Sequence, residues 1–217
     1  MRILIVISTG GSVISELLKY NIIKDNIYAI VLDRNCNAIK VAVDNNINYV
    51  LFEENNNLSF SDFVLEYAIK NDISYIYSFY LRLFKGELLN AYKYKLINFH
   101  PSLLPAFSGF NPIKNAINFG AKITGTTIHF IDDTIDNGLP ILQSVLPINN
   151  NMSVNELTHM LFIHQCRSIL QLTKWLIDDK LKIINNKCEI IGSKYDLSEF
   201  YPNLEYIEAI KFDKPFN

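Results

Sequence analysis

The sequence predicts an α/β fold, a doubly wound and mostly parallel sheet followed by a C-terminal helix, a hairpin and a tail. Three observations predict it. Short apolar runs alternate with amphipathic helical patterns through the first half of the chain, which implies parallel pairing through right-handed crossovers. A glycine pair directly follows the first run, as a tight strand-to-helix turn requires. After residue 110 the texture changes to two longer strand-like runs around a polar loop, then one long helical period.

The elements follow in order. Residues 2–8 (RILIVIS) form a continuous apolar run that ends in Thr9-Gly10-Gly11-Ser12. Val13, Ile14, Leu17 and Leu18 then recur at helical spacing. Residues 28–32, 49–52, 73–78 and 96–99 read as further strands. Between them, residues 37–45, 61–70 and 86–91 read as helices. Pro112 opens a helix that Gly120 stops after Phe119. Residues 123–131 and 140–147 are strands, and Ser153 to Asp179 is a long helix with Ser153 and Glu156 spaced as a capping box. Residues 181–192 suggest a hairpin around Asn185-Asn186, and the Tyr, Phe and Pro after Lys194 suggest a strap across the surface. The domain expectation is a catalytic domain over residues 1–193 and a tail over 194–217.

Composition narrows the class. With 217 residues, 49% hydrophobic and 19% charged, the chain can bury a substantial core. Its 20 basic and 22 acidic side chains leave a net charge of -2, no footprint for nucleic acid or an anionic membrane. The first apolar run, Ile3 to Ile7, is too short for a signal peptide or a membrane span. Cys36, Cys166 and Cys188 are odd in number and far apart, as reduced thiols of a cytoplasmic protein would be.

The densest chemical signal is Ile97-Asn98-Phe99-His100-Pro101-Ser102-Leu103-Leu104-Pro105. A strand ends here with Asn98 and His100 two residues apart, on one face by strand periodicity. Ligands of open α/β sheets bind beyond the carboxyl ends of strands, so the pair serves either chemistry or the capping of neighbouring turns. A second signal is the acidic loop Asp132-Asp133-Thr134-Ile135-Asp136-Asn137-Gly138. Its spacing does not match a calcium loop, and His159 and His164, five apart, face different sides of a helix, so no metal site is expected.

Together these segments resemble the folate-dependent formyltransferase family, most closely its glycinamide ribonucleotide transformylase branch. The resemblance is carried by Asn98 to Pro105, Thr124 to Phe130, and Asp132 to Asp136; it spans about residues 1–185 and is strongest over 98–147. It implies a Rossmann-like fold, 10-formyltetrahydrofolate as co-substrate, and a primary amine on a small, phosphorylated acceptor. It also implies a catalytic trio of Asn98, His100 and Asp136. The chemistry suits those types. A neutral amine attacks the formyl carbon, and the developing oxyanion needs donors, each worth about 3 kcal/mol of barrier. The Asn98 amide and a His100 ring nitrogen can donate, while Asp136 can orient the amine and take up its proton. His129, in the adjacent strand, reads as a brace or as a satisfied core histidine.

By the same resemblance Leu81, Arg82, Leu83 and Phe84 face the pterin from one side, with Ile131, Asp132, Asp133 and Thr134 opposite. Gly10, Gly11, Ser12 and Val13 would hold the acceptor's phosphate, with Gly109 and Gln165 also on the acceptor side. Three departures fall on that side. Val13 replaces the branch's asparagine, Gln165 its glutamate, and Phe110-Asn111-Pro112-Ile113 a His-Thr-His-like segment.

The expectation is therefore an N-formyltransferase nearest to the purine-biosynthetic branch. The alternative is one acting on a nucleotide-linked amino sugar for glycan synthesis, whose family members share the trio. A third possibility, 10-formyltetrahydrofolate hydrolysis, belongs to family members with an extra N-terminal domain, whereas strand character here starts at residue 2. Methionyl-tRNA formyltransferases carry a basic C-terminal domain, which this short tail does not match. The expected state is a monomer or homodimer without nucleic-acid or membrane partners.

Overall fold

The computed structural model describes residues 1–197 and 199–216. It divides into two compact units, Met1–Asn98 with Phe130–Thr134, and Phe99–His129 with Ile135–Asn217.

The first unit contains β1 (Ile3–Ile7), β2 (Ile27–Leu32), β3 (Asn48–Leu51), β4 (Tyr75–Phe79) and the start of β5 (Leu96–His100). They run parallel in the order β5-β4-β1-β2-β3, so the winding reverses between β1 and β4. All five residues of β1 are buried, which is why it reads as an unbroken apolar run rather than an alternating one. Helices α1 (Ser12–Leu17), α2 (Asn21–Lys24), α3 (Ala38–Asp44), α4 (Asn57–Lys70) and α5 (Glu87–Ala91) complete the unit. Phe60, Val64 and Ala68 recur along one face of α4 and pack with Leu4, Val6, Ile76, Tyr80 and Phe84 in the core.

Helix α4 begins four residues before the expected Ser61. The asparagine run read as loop holds its cap, because Asn56 Oδ1 accepts from Leu58 N at 2.9 Å and Ser59 N at 3.3 Å. Helix α2, of four residues, was not anticipated, being too short to show a period.

In the second unit β6 (Ile123–Phe130) pairs antiparallel with β7 (Pro140–Pro147). A Cβ on Gly125 would lie 1.7 Å from Ser144 O, so the approach of β7 leaves room only for glycine in the Thr-Gly-x-Thr stretch. Helix α6 (Pro112–Phe119) has proline in its first turn and a left-handed Gly120 behind it, as the sequence predicts. Helix α7 (Val154–Ile177) carries the expected capping box: Ser153 Oγ accepts from Glu156 N, and Glu156 Oε2 accepts from Ser153 N at 2.8 Å. The hairpin of β8 (Leu181–Ile184) and β9 (Lys187–Ile190) turns on Asn185 and Asn186, both at positive φ.

The segment after Lys194 differs from the strap the sequence suggests. It forms β10 (Phe200–Tyr201), antiparallel to β7, and α8 (Ile207–Lys211). Phe200, Ala209 and Phe212 are buried, and Gln171 Oε1 on α7 accepts from Glu205 N and Tyr206 N at 2.5 and 2.7 Å. Elements of two and five residues are too short for periodicity to reveal. Among the described residues no helix is long and apolar enough to cross a membrane.

A pH effect follows from this packing. His164 is buried on α7 with its ring stacked on Phe200 at 4.7 Å. Burial, aided by the charge on Arg167, pushes its pKa down from 6.5 to about 4. Between those values the unfolded chain binds a proton that the folded chain does not. Folding therefore loses stability as pH falls through that window, by about 3 kcal/mol when complete. The melting temperature should drop accordingly between pH 7 and pH 4, and His164→Phe should flatten the drop. An unchanged slope in the variant would assign the acid sensitivity elsewhere.

Candidate active site

Strand β5 carries Asn98 and His100 to its carboxyl end with Phe99 between them. Asn98 is the last residue of the first unit's long segment, where its backbone pairs with Ser78 on β4. His100 lies in the second unit, followed by the loop that runs to Gly109.

That loop is fastened to β6 and β7. Thr127 Oγ1 donates to Ser102 O at 2.8 Å and accepts from Leu104 N at 3.0 Å. Gln143 Nε2 donates to Leu104 O at 2.9 Å and to Thr127 Oγ1 at 3.1 Å. Ser102 Oγ donates to Ala106 O at 2.7 Å. Sequence reasoning did not single out Ser102, Thr127 or Gln143. The available signal was a lone glutamine within the apolar run of β7.

The loop brings its main chain to the histidine. Phe107 has φ 54°, a left-handed conformation that costs a bulky residue about 1–2 kcal/mol, and its carbonyl is 3.1 Å from His100 Nε2. On the other side of the ring, His100 Nδ1 is 3.4 Å from Asp136 Oδ2. Asp136 also has positive φ, 50°, and its Oδ2 accepts from Gly109 N at 2.7 Å. His129 Nε2 on β6 is 3.7 Å from Asp136 Oδ1. The side chains of His100, His129 and Asp136 are only 7%, 3% and 13% exposed. The second unit thus buries one carboxylate between two imidazoles. A carbonyl and a carboxylate can only accept, so each ring nitrogen of His100 faces an acceptor.

The structure also brings His100, Asp136 and Gly109 together, although Gly109 was read only as an acceptor contact. Gln165 on α7 donates from Nε2 to Phe99 O at 2.9 Å, which leaves its Oε1 as the atom suited to a hydroxyl. A glutamate there would turn a carboxylate toward that carbonyl.

The residues assigned to the pterin lie in the first unit. Leu81 and Leu83 are 49% and 45% exposed, whereas Phe84 is buried against Tyr80 with ring centroids 4.7 Å apart. Ile131 packs on the same core, its N–H donating to Leu96 O at 2.9 Å. Asp132 Oδ1 accepts from Thr134 N at 2.9 Å and Oγ1 at 2.5 Å, closing a small turn. Asp133 is exposed beside it. The Arg82 guanidinium is held by Asp33 and by the carbonyls of Glu54 and Asn55, so only its main chain remains to meet a ligand edge.

The first glycine turn precedes a helix of only six residues, α1, with no side-chain cap. Gly11 has φ 74°, and a Cβ there would come within 3.1 Å of Ala38 Cβ, so both conformation and packing require glycine. Ser12 is exposed and Val13 half-buried, while Gly10 has ordinary clearance. Among the described residues no group of three or more His, Cys, Asp or Glu could hold a metal ion.

The profile of a family described as Formyl transferase matches residues 1–169. The chain belongs to the formyl transferase family. Phosphoribosylglycinamide formyltransferase, chloroplastic, of Vigna unguiculata is 28% identical over 213 residues, covering 92% of this chain and 68% of that protein. The trifunctional purine biosynthetic protein adenosine-3 of Chironomus tentans is 32% identical over 110 residues, 51% of this chain but only 8% of its own length. Glycinamide ribonucleotide transformylase 1 from Symbiobacterium toebii superposes with a TM-score of 0.82 at 23% identity, covering 88% of this chain and 94% of that one. That likeness shows the α/β fold. As a formyl transferase the chain is an enzyme, and the expected fold class, family and reaction class all hold.

Proposed function

We propose that this formyl transferase moves the formyl group of 10-formyltetrahydrofolate onto the primary amine of glycinamide ribonucleotide, through Asn98, His100 and Asp136. The observation that carries the reading is the His100–Asp136 pair at 3.4 Å, buried at the end of the strand that also bears Asn98. The folate supplies an activated formyl carbon on N10.

In this reading the amine lone pair attacks that carbon and the carbonyl electrons move onto oxygen. Asn98 and His100 donate to the oxyanion, each worth about 10²- to 10³-fold in rate. Asp136 orients the amine and accepts the proton it sheds, directly or through water. When the C–N10 bond breaks, a proton returns to N10, so charge balances over the cycle. The His100 ring must release the Phe107 carbonyl or turn from Asp136 to serve the oxyanion, since both nitrogens face acceptors within the chain.

The exposed Leu81 and Leu83 beside Phe84 and Ile131 support an apolar seat for the pterin, with the main chain of Arg82 and of Asp132 to Thr134 reading its edge. The turn Gly10–Val13 is assigned to the acceptor's phosphate, and Gly109 and Gln165 to its remaining polar groups. None of the three cysteines is in a disulfide, which supports a reducing, cytoplasmic setting.

A nucleotide-linked amino sugar is the second reading, favoured by the Gln165 amide, which is committed to Phe99 O where the purine branch has a glutamate. Offering glycinamide ribonucleotide and a dTDP-linked 4-amino sugar in parallel decides between them. Turnover of the ribonucleotide is expected; turnover of the sugar alone would replace the proposed acceptor, and formate release without acceptor would indicate a hydrolase.

A further inference from the structure

The first unit holds an ionic cluster at the carboxyl ends of its strands that the assigned roles do not use. Asp33 follows β2, and its carboxylate is fully buried. Arg34 grips it with its planar fork, Nε donating to Oδ1 and Oδ2 at 3.2 and 3.1 Å and Nη2 to Oδ2 at 2.7 Å. Arg82, after β4, donates Nη2 to the same oxygen at 3.1 Å and is otherwise taken up by Glu54 O and Asn55 O beyond β3. Ser8, after β1, also bonds Asp33 and accepts from Leu81 N at 3.1 Å. Burial pushes the Asp33 carboxyl up, but the hydrogen bonds from Arg34 and Ser8 and the two arginine charges outweigh it and hold its pKa below the usual value. The carboxylate is therefore ionised.

The charges do not cancel. Two guanidiniums against one carboxylate leave an excess positive charge where the strand order reverses between β1 and β4, the place at which open α/β sheets bind ligands. Arg82 is 22% exposed, whereas Arg34 is 48% exposed and its Nη1 takes no part in the hydrogen bonds to Asp33. Tyr80 Oη, on a residue only 8% exposed and in the field of both arginines, has no hydrogen-bond acceptor among the described residues. The loop bearing Arg34 rests on the glycine turn: Cys36 Sγ donates to Thr9 O at 3.0 Å, and Asn37 Nδ2 to Gly10 O at 3.5 Å.

We infer that Arg34 is a specificity-determining residue for the anionic group of the acceptor, a phosphate monoester or diphosphate delivered beside the first glycine turn. The inference rests on the reading that the acceptor is phosphorylated. Val13 offers the turn no side-chain donor, and a guanidinium already locked by Asp33 supplies charge and planar donors with little further ordering. The competing role for Arg34 is mere neutralisation of Asp33. That role predicts an effect on stability and none on affinity.

Calorimetric titration of the full chain with ribose 5-phosphate, thymidine diphosphate and unphosphorylated ribose separates the two. The wild type is expected to bind a phosphorylated probe and not ribose, and the preferred probe tells monoester from diphosphate. Arg34→Gln, which keeps a hydrogen bond to Asp33, should weaken that binding about 10- to 100-fold, with partial recovery in Arg34→Lys. The acceptor KM should rise by the same factor, with kcat and the folate KM within about twofold. Equal affinity in wild type and Arg34→Gln, a fall in melting temperature alone, or no phosphate binding by the wild type would each overturn the inference. If the wild type binds the probe yet formylates no ribonucleotide, the acceptor reading fails and the assignment of Arg34 stands.

Discussion

Asp136→Asn is expected to lower kcat for formyl transfer by about 10³-fold, on the order of 4 kcal/mol of barrier. The substitution isolates charge from shape. Asparagine tolerates the left-handed backbone that Asp136 adopts at φ 50°, and its amide oxygen can still accept from Gly109 N. What disappears is the negative charge 3.4 Å from His100 Nδ1 and 3.7 Å from His129 Nε2, and with it the acceptor for the amine proton. The folate KM should move by no more than a few fold, because the proposal assigns Asp136 to the acceptor amine and not to the pterin. Steady-state kinetics with circular dichroism as a folding check read the result. A variant within tenfold of wild type would remove Asp136 from the chemistry.

His100→Ala should cost about 10²- to 10³-fold in kcat, the loss of one oxyanion donor. The more informative quantity is the double variant. His100 and Asp136 face one another across a buried contact, so each loses its purpose when the other is gone. The pair should cost about as much as the worse single change rather than the product of both, as groups acting as one unit do. Fully multiplicative losses would mean that the two side chains act independently.

Much of this was legible in the sequence because it rests on local rules. The unbroken apolar run of β1, the capping box of α7 and the Asn185-Asn186 hairpin are each specified by neighbouring residues, and each forms as expected. Asn98, His100 and Asp136 were singled out for a different reason. Two of them share a strand end, and the third lies in an acidic loop at a spacing that matches a family. The rest depends on long-range packing. Nothing local announces that the segment after Lys194 pairs with β7 and packs on α7, since β10 and α8 are shorter than any period. Gln143 reaches the loop at Leu104 across 39 residues of sequence, and Arg82 turns its guanidinium to Asp33 across 49. Arg82 was read as a pterin contact together with Leu81, Leu83 and Phe84. Only the structure reveals that its charged end serves the interior of the first unit.

The central claim is that the formyl group leaves the folate for an amine with Asp136 as the proton acceptor. A single-turnover reaction with 10-formyltetrahydrofolate labelled in the formyl carbon, run with glycinamide ribonucleotide on wild type beside Asp136→Asn, tests it most directly. The account predicts label in the N-formyl product at the wild-type rate, slowed about 10³-fold by the substitution. Label appearing chiefly as formate, or transfer at equal rates in the two proteins, would contradict it.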